Sequence, residues 1–359
     1  MEVLLGICLV QTRFGEDNAH GQRLAAFLAR LGCHVLELDT SADAPLATFS
    51  SASFAPQVIH GFHLVKSGIF CHELARQGRV PLVITCTGTD VFIDLQTPGL
   101  NETIRNVLSA ADKVVVPFYG MLPYLREFLP EEGRFTIIPK GVQPPTPSDL
   151  PDLQTHPVPA HGRIVLLPGA ILPARHTHFA IHALNPLLSR FPDLHLVILG
   201  NVLDSQYGQM VTDLAGNHPW VRILPALSPG EMARWYQRAD VVLNVSHVEG
   251  GSQFMLEAMS LGAPVLASDI PGNRAYITDE ASNEGRGTGF LYSTSPSPEG
   301  FQRIHEQADL VDKMTFLLEH HEIRTQTGKR AAAWVKETLN PDLEAFLYLE
   351  LYRKLTEKG

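Results

Sequence analysis

Short apolar runs alternate with amphipathic stretches along most of this chain, and that alternation restarts after a single proline-rich break. Val3 to Val10, Val35 to Leu38, Val58 to Ile59, Leu82 to Thr85, Val114 to Val116 and Thr136 to Ile138 read as strands. Between most of them lie helical patterns, the first from Gly21 to Leu31 and stopped by Gly32 at its C′ position. Strands apolar on both faces and separated by helices predict a parallel sheet covered by helices on both sides.

The segment PPTPSDLPDLQTHPVPAHG is polar, rich in proline and without periodicity, so it reads as a linker, 146–162. The alternation then resumes with Ile164 to Leu167, a helix from about His178 to Arg190, and Leu194 to Leu199. Arg222 to Leu224, a helix over Gly230 to Ala239, Val241 to Val245, Ser252 to Leu261 and Pro264 to Ala267 follow. The expected fold class is therefore α/β: two doubly wound Rossmann-like domains, 1–145 and 163–338, followed by an amphipathic helix over Asp342 to Leu355. Domains of this kind bind ligands at the carboxyl ends of their strands, in the cleft between them.

A net charge of −10 and the lack of any Lys/Arg block argue against nucleic acid as a partner, since a phosphate backbone needs a basic face. A small anion is still within reach of backbone N–H groups and one or two basic side chains. Cys8, Cys33, Cys71 and Cys86 have neither CxxC nor zinc-like spacing and read as reduced, buried thiols. Met1 to Val10 is too short to span a bilayer and has no basic flank, so the expected location is cytoplasmic, with peripheral membrane contact left open.

Chemistry concentrates in VVLNVSHVEGGSQFMLEAMSLGAPVLASDIPGNR, residues 241–274. A buried strand runs through a polar loop into Glu249-Gly250-Gly251 and a helix for which Ser252 is the expected N-cap. The glycines let a ligand approach the backbone, and the helix start presents N–H groups and the positive dipole end. Glu257 lies two turns on, aimed back at the same loop, and a carboxylate can accept bonds from paired hydroxyls. Phosphate on backbone donors and hydroxyls on carboxylates together describe a nucleotide sugar. Two glutamates eight residues apart are common by chance; the ordered strand, loop, helix, Gly262-Ala263-Pro264 strand and Pro271-Gly272-Asn273 turn give the pair its meaning.

This block resembles the E-x7-E signature of family 4 glycosyltransferases, retaining enzymes of the GT-B fold. Ile137-Ile138-Pro139-Lys140-Gly141-Val142 resembles the family's I-P-N-G-V close of the first domain, and His20 to Val35 its first glycine-loop helix. Thr87-Gly88-Thr89-Asp90, His63 in GFHLVKSG, Glu249-Gly250-Gly251 and Ile270-Pro271-Gly272-Asn273 are similar to two outlying branches. These are the animal glycosyltransferase-1-domain-containing proteins and the bacterial selenosugar synthases. The resemblance implies a metal-independent hexosyltransferase taking a nucleotide-diphosphate sugar, a UDP-sugar in the first place, to a small-molecule or glycan acceptor. It implies that Glu257 binds the ribose hydroxyls, that Glu249 contacts the donor sugar, and that Gly250, Gly251 and Ser252 hold sugar and phosphate oxygens. The last helix, within 339–359, would cross back to the first domain.

The sequence departs from that pattern twice. Thr87 stands where most members carry a histidine, and Leu172 where an arginine of the diphosphate clamp is expected. Arg175, in the loop opened by Gly169, takes the place of the usual lysine and keeps a cation there. His63, at the carboxyl end of its strand, reads as a group acting on donor or acceptor, or as a hydrogen-bonded structural histidine. Asp90 reads as a general base or a helix cap. Lys66 and Arg23 are candidate phosphate contacts or solvated side chains, while Asp94, His176 and His178 read as surface or cap residues. The sixteen histidines show no ligand-like spacing and no Asp-x-Asp motif occurs, so neither a metal nor another cofactor is expected. Two further function classes stay open: an epimerase of the same fold, and a nucleotide-sugar binder without catalysis.

Overall fold

The computed structural model describes residues 5–12, 19–42, 49–50, 54–146, 161–281, 283, 285–294 and 301–357. The start of the first expected strand, the loop at 13–18 and most of the expected linker lie outside them. The chain forms two compact units, Met1–Gly141 joined by Leu339–Gly359, and Val142–Thr338.

The first unit runs β1 (Gly6–Gln11), α1 (Ala19–Arg30), β2 (His34–Asp39), β3 (Val58–Phe62), α2 (Gly68–Gly78), β4 (Leu82–Thr85), α3 (Thr89–Phe92), α4 (Asn101–Ala110), β5 (Lys113–Val116), α5 (Leu122–Arg126) and β6 (Phe135–Ile137). Its six strands are all parallel, in the order β2-β1-β3-β4-β5-β6.

The second unit runs β7 (Arg163–Pro168), α6 (Thr177–Leu184), β8 (Leu194–Leu199), α7 (Ser205–Gly216), β9 (Val221–Leu224), α8 (Pro229–Arg238), β10 (Val241–Asn244), α9 (Gln253–Ser260), β11 (Val265–Ser268), α10 (Pro271–Arg274), β12 (Phe290–Tyr292), α11 (Phe301–Glu319) and α12 (His321–Thr338). Its sheet, ordered β12-β11-β10-β7-β8-β9, is also parallel throughout. The chain returns to the first unit through α13 (Pro341–Thr356), whose Ala345, Tyr348, Leu349 and Tyr352 join the core of β1, β3 and α1.

Local chemistry explains where the elements begin and end. Ser228 and Glu231 form a capping box around Pro229, so α8 starts one residue before the expected Gly230. The expected helix to Arg190 stops at Leu184 and continues as a 3-10 turn over Asn185–Ser189, because Pro186 has no N–H to extend the ladder. Strand β3 runs three residues past the expected Ile59, through His60 and Gly61, since His60 is satisfied inside the core.

That satisfaction belongs to a buried polar network tying α13 to the sheet. The two ring nitrogens of His60 meet the Tyr352 hydroxyl at 2.6 Å and Thr85 Oγ1 at 2.7 Å, and Thr85 also meets the Tyr348 hydroxyl at 2.8 Å. A neutral imidazole donates from one nitrogen and accepts at the other, which suits this pair. Glu344, buried on α13, meets His20 Nε2 at 2.6 Å and accepts from Arg23 Nη2 at 3.1 Å. Arg23 is thus paired with a buried carboxylate, a partner that only the return of α13 supplies.

Burial holds His60 at a pKa of about 3 and pulls His20 below its ordinary value against the opposing charge of Glu344. The charges and hydrogen bonds of His20 and Arg23 keep Glu344 below the ordinary carboxylate range although burial opposes them. Between pH 6.5 and 3 the unfolded chain thus binds more protons at position 60 than the folded one, so stability falls as pH falls. Lowering pH from 7 to 5 should remove roughly 2 kcal/mol through His60 alone. Urea unfolding at the two pH values should show this loss in the parent protein and much less of it in His60→Gln. Equal losses in both would contradict the assignment.

Candidate functional site

In the second unit the strand order reverses at β7: β8 and β9 lie on one side of it, β10, β11 and β12 on the other. Side by side in register, β7 and β10 leave a crevice beyond their carboxyl ends, where the connections diverge to opposite faces of the sheet. The loop after β7 carries Gly169 and Arg175, and the loop after β10 carries Glu249. Gly169, Ala170, Arg175, Asn244 and Ser246 line a small pocket there.

Glu249 organises this crevice. Its buried carboxylate forms an ion pair with Arg175 and accepts from Ser246 Oγ at 2.9 Å and Asn244 Nδ2 at 3.3 Å. Asn244 Oδ1 in turn accepts the Ser246 N–H at 3.0 Å, and Ser268 Oγ donates to the Ser246 carbonyl at 2.6 Å. Asn273 Nδ2 donates to Ser268 at 3.0 Å, which draws the Pro271-Gly272-Asn273 turn under the loop. Gly272 comes so close that a Cβ there would stand 1.9 Å from the Glu249 carbonyl oxygen. Only glycine permits that approach.

Gly251 has φ +104°, and a Cβ on it would meet the Tyr276 ring at 2.6 Å, so the turn into α9 is closed to side chains. Ser252 occupies the N-cap position in extended conformation, but its hydroxyl makes no capping bond; the backbone, not the side chain, turns the chain into the helix. One turn into α9, Glu257 is half-buried; Oε1 accepts from Gln253 Nε2 at 2.9 Å and Oε2 from the Tyr236 hydroxyl at 3.3 Å. The buried Gln253 Oε1 has no partner among the described residues, a place for a donor from a ligand or water.

The first unit has its own reversal point, between β1 and β3, and His63 follows β3 directly. His63 Nδ1 accepts the Val65 and Lys66 N–H groups, both at 3.2 Å, which leaves the proton on Nε2. Nε2 lies 3.1 Å from Thr89 Oγ1 and 3.6 Å from Asp94 Oδ2. His63 has φ +81°, an uncommon conformation for a non-glycine residue, and burial holds its ring below the ordinary histidine range. Burial also lifts the Asp94 carboxyl, which is a neighbour of His63 rather than a plain surface residue. Thr87 and Lys66 are exposed.

Asp90 is not placed to act as a base. It is fully buried, with Oδ1 accepting from Thr87, Gly88 and Val91 N–H and Oδ2 from Leu64 and Thr87 N–H, at 2.7–3.2 Å. Its carboxylate stitches the turn after β4 to the turn after β3. Sequence reasoning also passed over Asn244, Ser246, Gln253 and Tyr236, which position the two glutamates. The signal was present in part: Asn244 and Ser246 sit at alternate positions leaving a buried strand, where side chains on one face meet the same ligand end.

The family profile described as "Glycosyl transferases group 1" matches residues 152–334. A D-inositol 3-phosphate glycosyltransferase of Kineococcus radiotolerans is 27% identical over 253 residues, covering 64% of this chain and 54% of that protein. The chain spans about half the length of the curated relatives it matches. Among solved structures, the sucrose-phosphate synthase of Thermosynechococcus elongatus superposes with a TM-score of 0.79 at 18% identity, covering 99% of this chain and 100% of that one. HepE of Anabaena, solved in complex with UDP-glucose, gives a TM-score of 0.74 at 15% identity over 97% and 100%. At such identities the likeness shows the fold alone, two parallel-sheet Rossmann-like domains of the GT-B type with a helical C-terminal end. Among the described residues no helix is long and apolar enough to cross a membrane.

The geometry around Asp90 yields a direct test. Asp90→Ala leaves several buried N–H groups without an acceptor, at about 1–3 kcal/mol for each. The variant should lose several kcal/mol of stability in denaturant unfolding. A variant as stable as the parent but slower in turnover would return Asp90 to the reacting groups.

Proposed function

The chain belongs to the group 1 glycosyl transferases, and on that premise we propose that it transfers a sugar from a nucleotide-diphosphate sugar to a small-molecule or glycan acceptor. The observation that carries this reading is the pairing of Arg175 with buried Glu249 at the point where the second sheet reverses, beside the start of α9. A diphosphate needs donors and positive charge; the N–H groups entering α9 and the Arg175 guanidinium supply both. A sugar and a ribose need acceptors; Glu249 and Glu257 supply those at opposite ends of the same loop-helix unit.

In this reading Glu257 takes the ribose hydroxyls, Glu249 the donor sugar, and Gly250 to Ser252 the phosphate oxygens. The diphosphate leaves the anomeric carbon while the acceptor hydroxyl attacks from the same face, so the configuration is retained and the acceptor proton passes to the departing phosphate. Charge gathers on that phosphate, and fixed donors aimed at it act before the reaction begins, with no reorganisation to lower their effect. No hydride or electron moves, so no organic cofactor is required. Arg175 takes the part that a carboxylate-held magnesium ion plays in other sites. His63, Thr87 and Lys66 of the first unit are the groups we assign to the acceptor.

Uridine is the base we favour, because HepE, a neighbour of the same fold, binds UDP-glucose. A cytoplasmic setting agrees with four cysteines that are all buried and unbridged. The second unit's site should then be dissected by steady-state kinetics with UDP-glucose, following release of UDP. Glu257→Ala should raise KM for the donor by roughly ten- to a hundred-fold, equal to ~1.5–3 kcal/mol for a charge-assisted hydrogen bond. Glu249→Gln should chiefly lower kcat. Unchanged constants in both variants would remove the site assignment, and tight donor binding by a parent protein that never releases UDP would leave a binder in place of a transferase.

A further inference from the structure

Three side chains of the second unit, distant in sequence, gather beside the loops that carry Arg175 and Glu249. His176, His247 and Glu306 each bring a ligand atom within 4.8 Å of the others. His176 and Glu306 are buried, while His247 is exposed on the loop after β10. His176 Nδ1 and His247 Nε2 are 2.5 Å apart, and the His247 N–H donates to the Ala174 carbonyl at 3.0 Å, so the two loops are already pinned together. The His176 ring lies flat on Phe179, 4.9 Å between centroids at 5°, and its backbone has φ +54°, rarely adopted outside glycine. A stacked ring on a constrained backbone holds its nitrogens in fixed directions.

We infer that His176, His247 and Glu306 form a binding site for a divalent transition-metal ion of the zinc class. Two imidazoles and one carboxylate with one side open to solvent are the donor set of a three-protein-ligand zinc site. Magnesium and calcium prefer all-oxygen shells and do not suit two ring nitrogens. Bonds of about 2.0–2.1 Å in tetrahedral geometry would set the ring nitrogens ~3.3 Å apart, so the rings must separate by under ~1 Å. The exposed His247 can make that movement. Such an ion would cross-link the loop after β7, the loop after β10 and α11, and hold Arg175 and Glu249 in register from outside their crevice. Spacings of 71 and 59 residues hide the set in the sequence, where no ligand motif is expected. The inference does not depend on the transfer reading.

The test is zinc binding by the full chain, stripped with chelator and titrated with zinc sulfate against a chromophoric chelator. The parent should bind one zinc per chain, and zinc should raise its melting temperature. His247→Ala, at an exposed position that need not disturb folding, should bind at least ten-fold more weakly and lose the thermal response. His218→Ala with His320→Ala, two histidines outside the cluster that each bond a backbone carbonyl four residues earlier, should bind like the parent. Zinc binding that survives His247→Ala, that disappears with this second pair, or that the parent lacks at micromolar zinc would each overturn the proposal.

Discussion

A carboxylate taken out of water must be met by charge and hydrogen bonds, and the ligand end of the second unit is built around meeting that demand for Glu249. Arg175 comes to it from the loop after β7, while Asn244 and Ser246 reach it from the end of β10. The Pro271-Gly272-Asn273 turn closes beneath its backbone from beyond β11. Removing the carboxylate would leave the half-buried Arg175 without this counter-charge and the loops after β7 and β10 without their shared ion pair. The same pair holds a guanidinium at the crevice with a carboxylate beside it.

Both units obey one topological rule with different polar solutions. Each sheet is parallel and reverses its winding once, so each has one crevice at the carboxyl ends of adjacent strands. In the second unit Glu249 and Arg175 pair at that crevice. In the first it holds His63, whose tautomer is fixed by two backbone donors and whose Nε2 edge meets Thr89 and Asp94. Behind it a separate network of His60, Thr85, Tyr348 and Tyr352 fastens the terminal helix. These hydroxyls and rings are satisfied within the core, so they give α13 a specific seat rather than a merely apolar one.

The strands and helices were largely legible because their periods differ and their ends carry proline, glycine and capping residues. Glu249, Glu257 and the glycines between them were legible for the same reason: strand, loop and helix follow one another without a gap in sequence. Roles that depend on distant partners were not. Arg23 looks like a loop-side cation until Glu344, 321 residues away, is seen to claim it. Asp90 looks like a base or cap until the backbone of the neighbouring turn is found on its carboxylate. His176, read as a cap, does sit at the N-cap of α6, yet its ring meets His247 and Glu306 only through the winding of the sheet. Local pattern records what a residue can be; tertiary pairing decides which of those it becomes.

In the proposed reading, the crevice at β7 and β10 holds a nucleotide diphosphate through Arg175. Calorimetric titration of UDP into the parent, Arg175→Ala and Lys66→Ala at one fixed ionic strength measures this most directly. One UDP per chain is expected for the parent, with a near-complete loss of binding in Arg175→Ala and little change in Lys66→Ala. Unaltered affinity in Arg175→Ala with a large loss in Lys66→Ala would contradict it and move the phosphate site to the first unit.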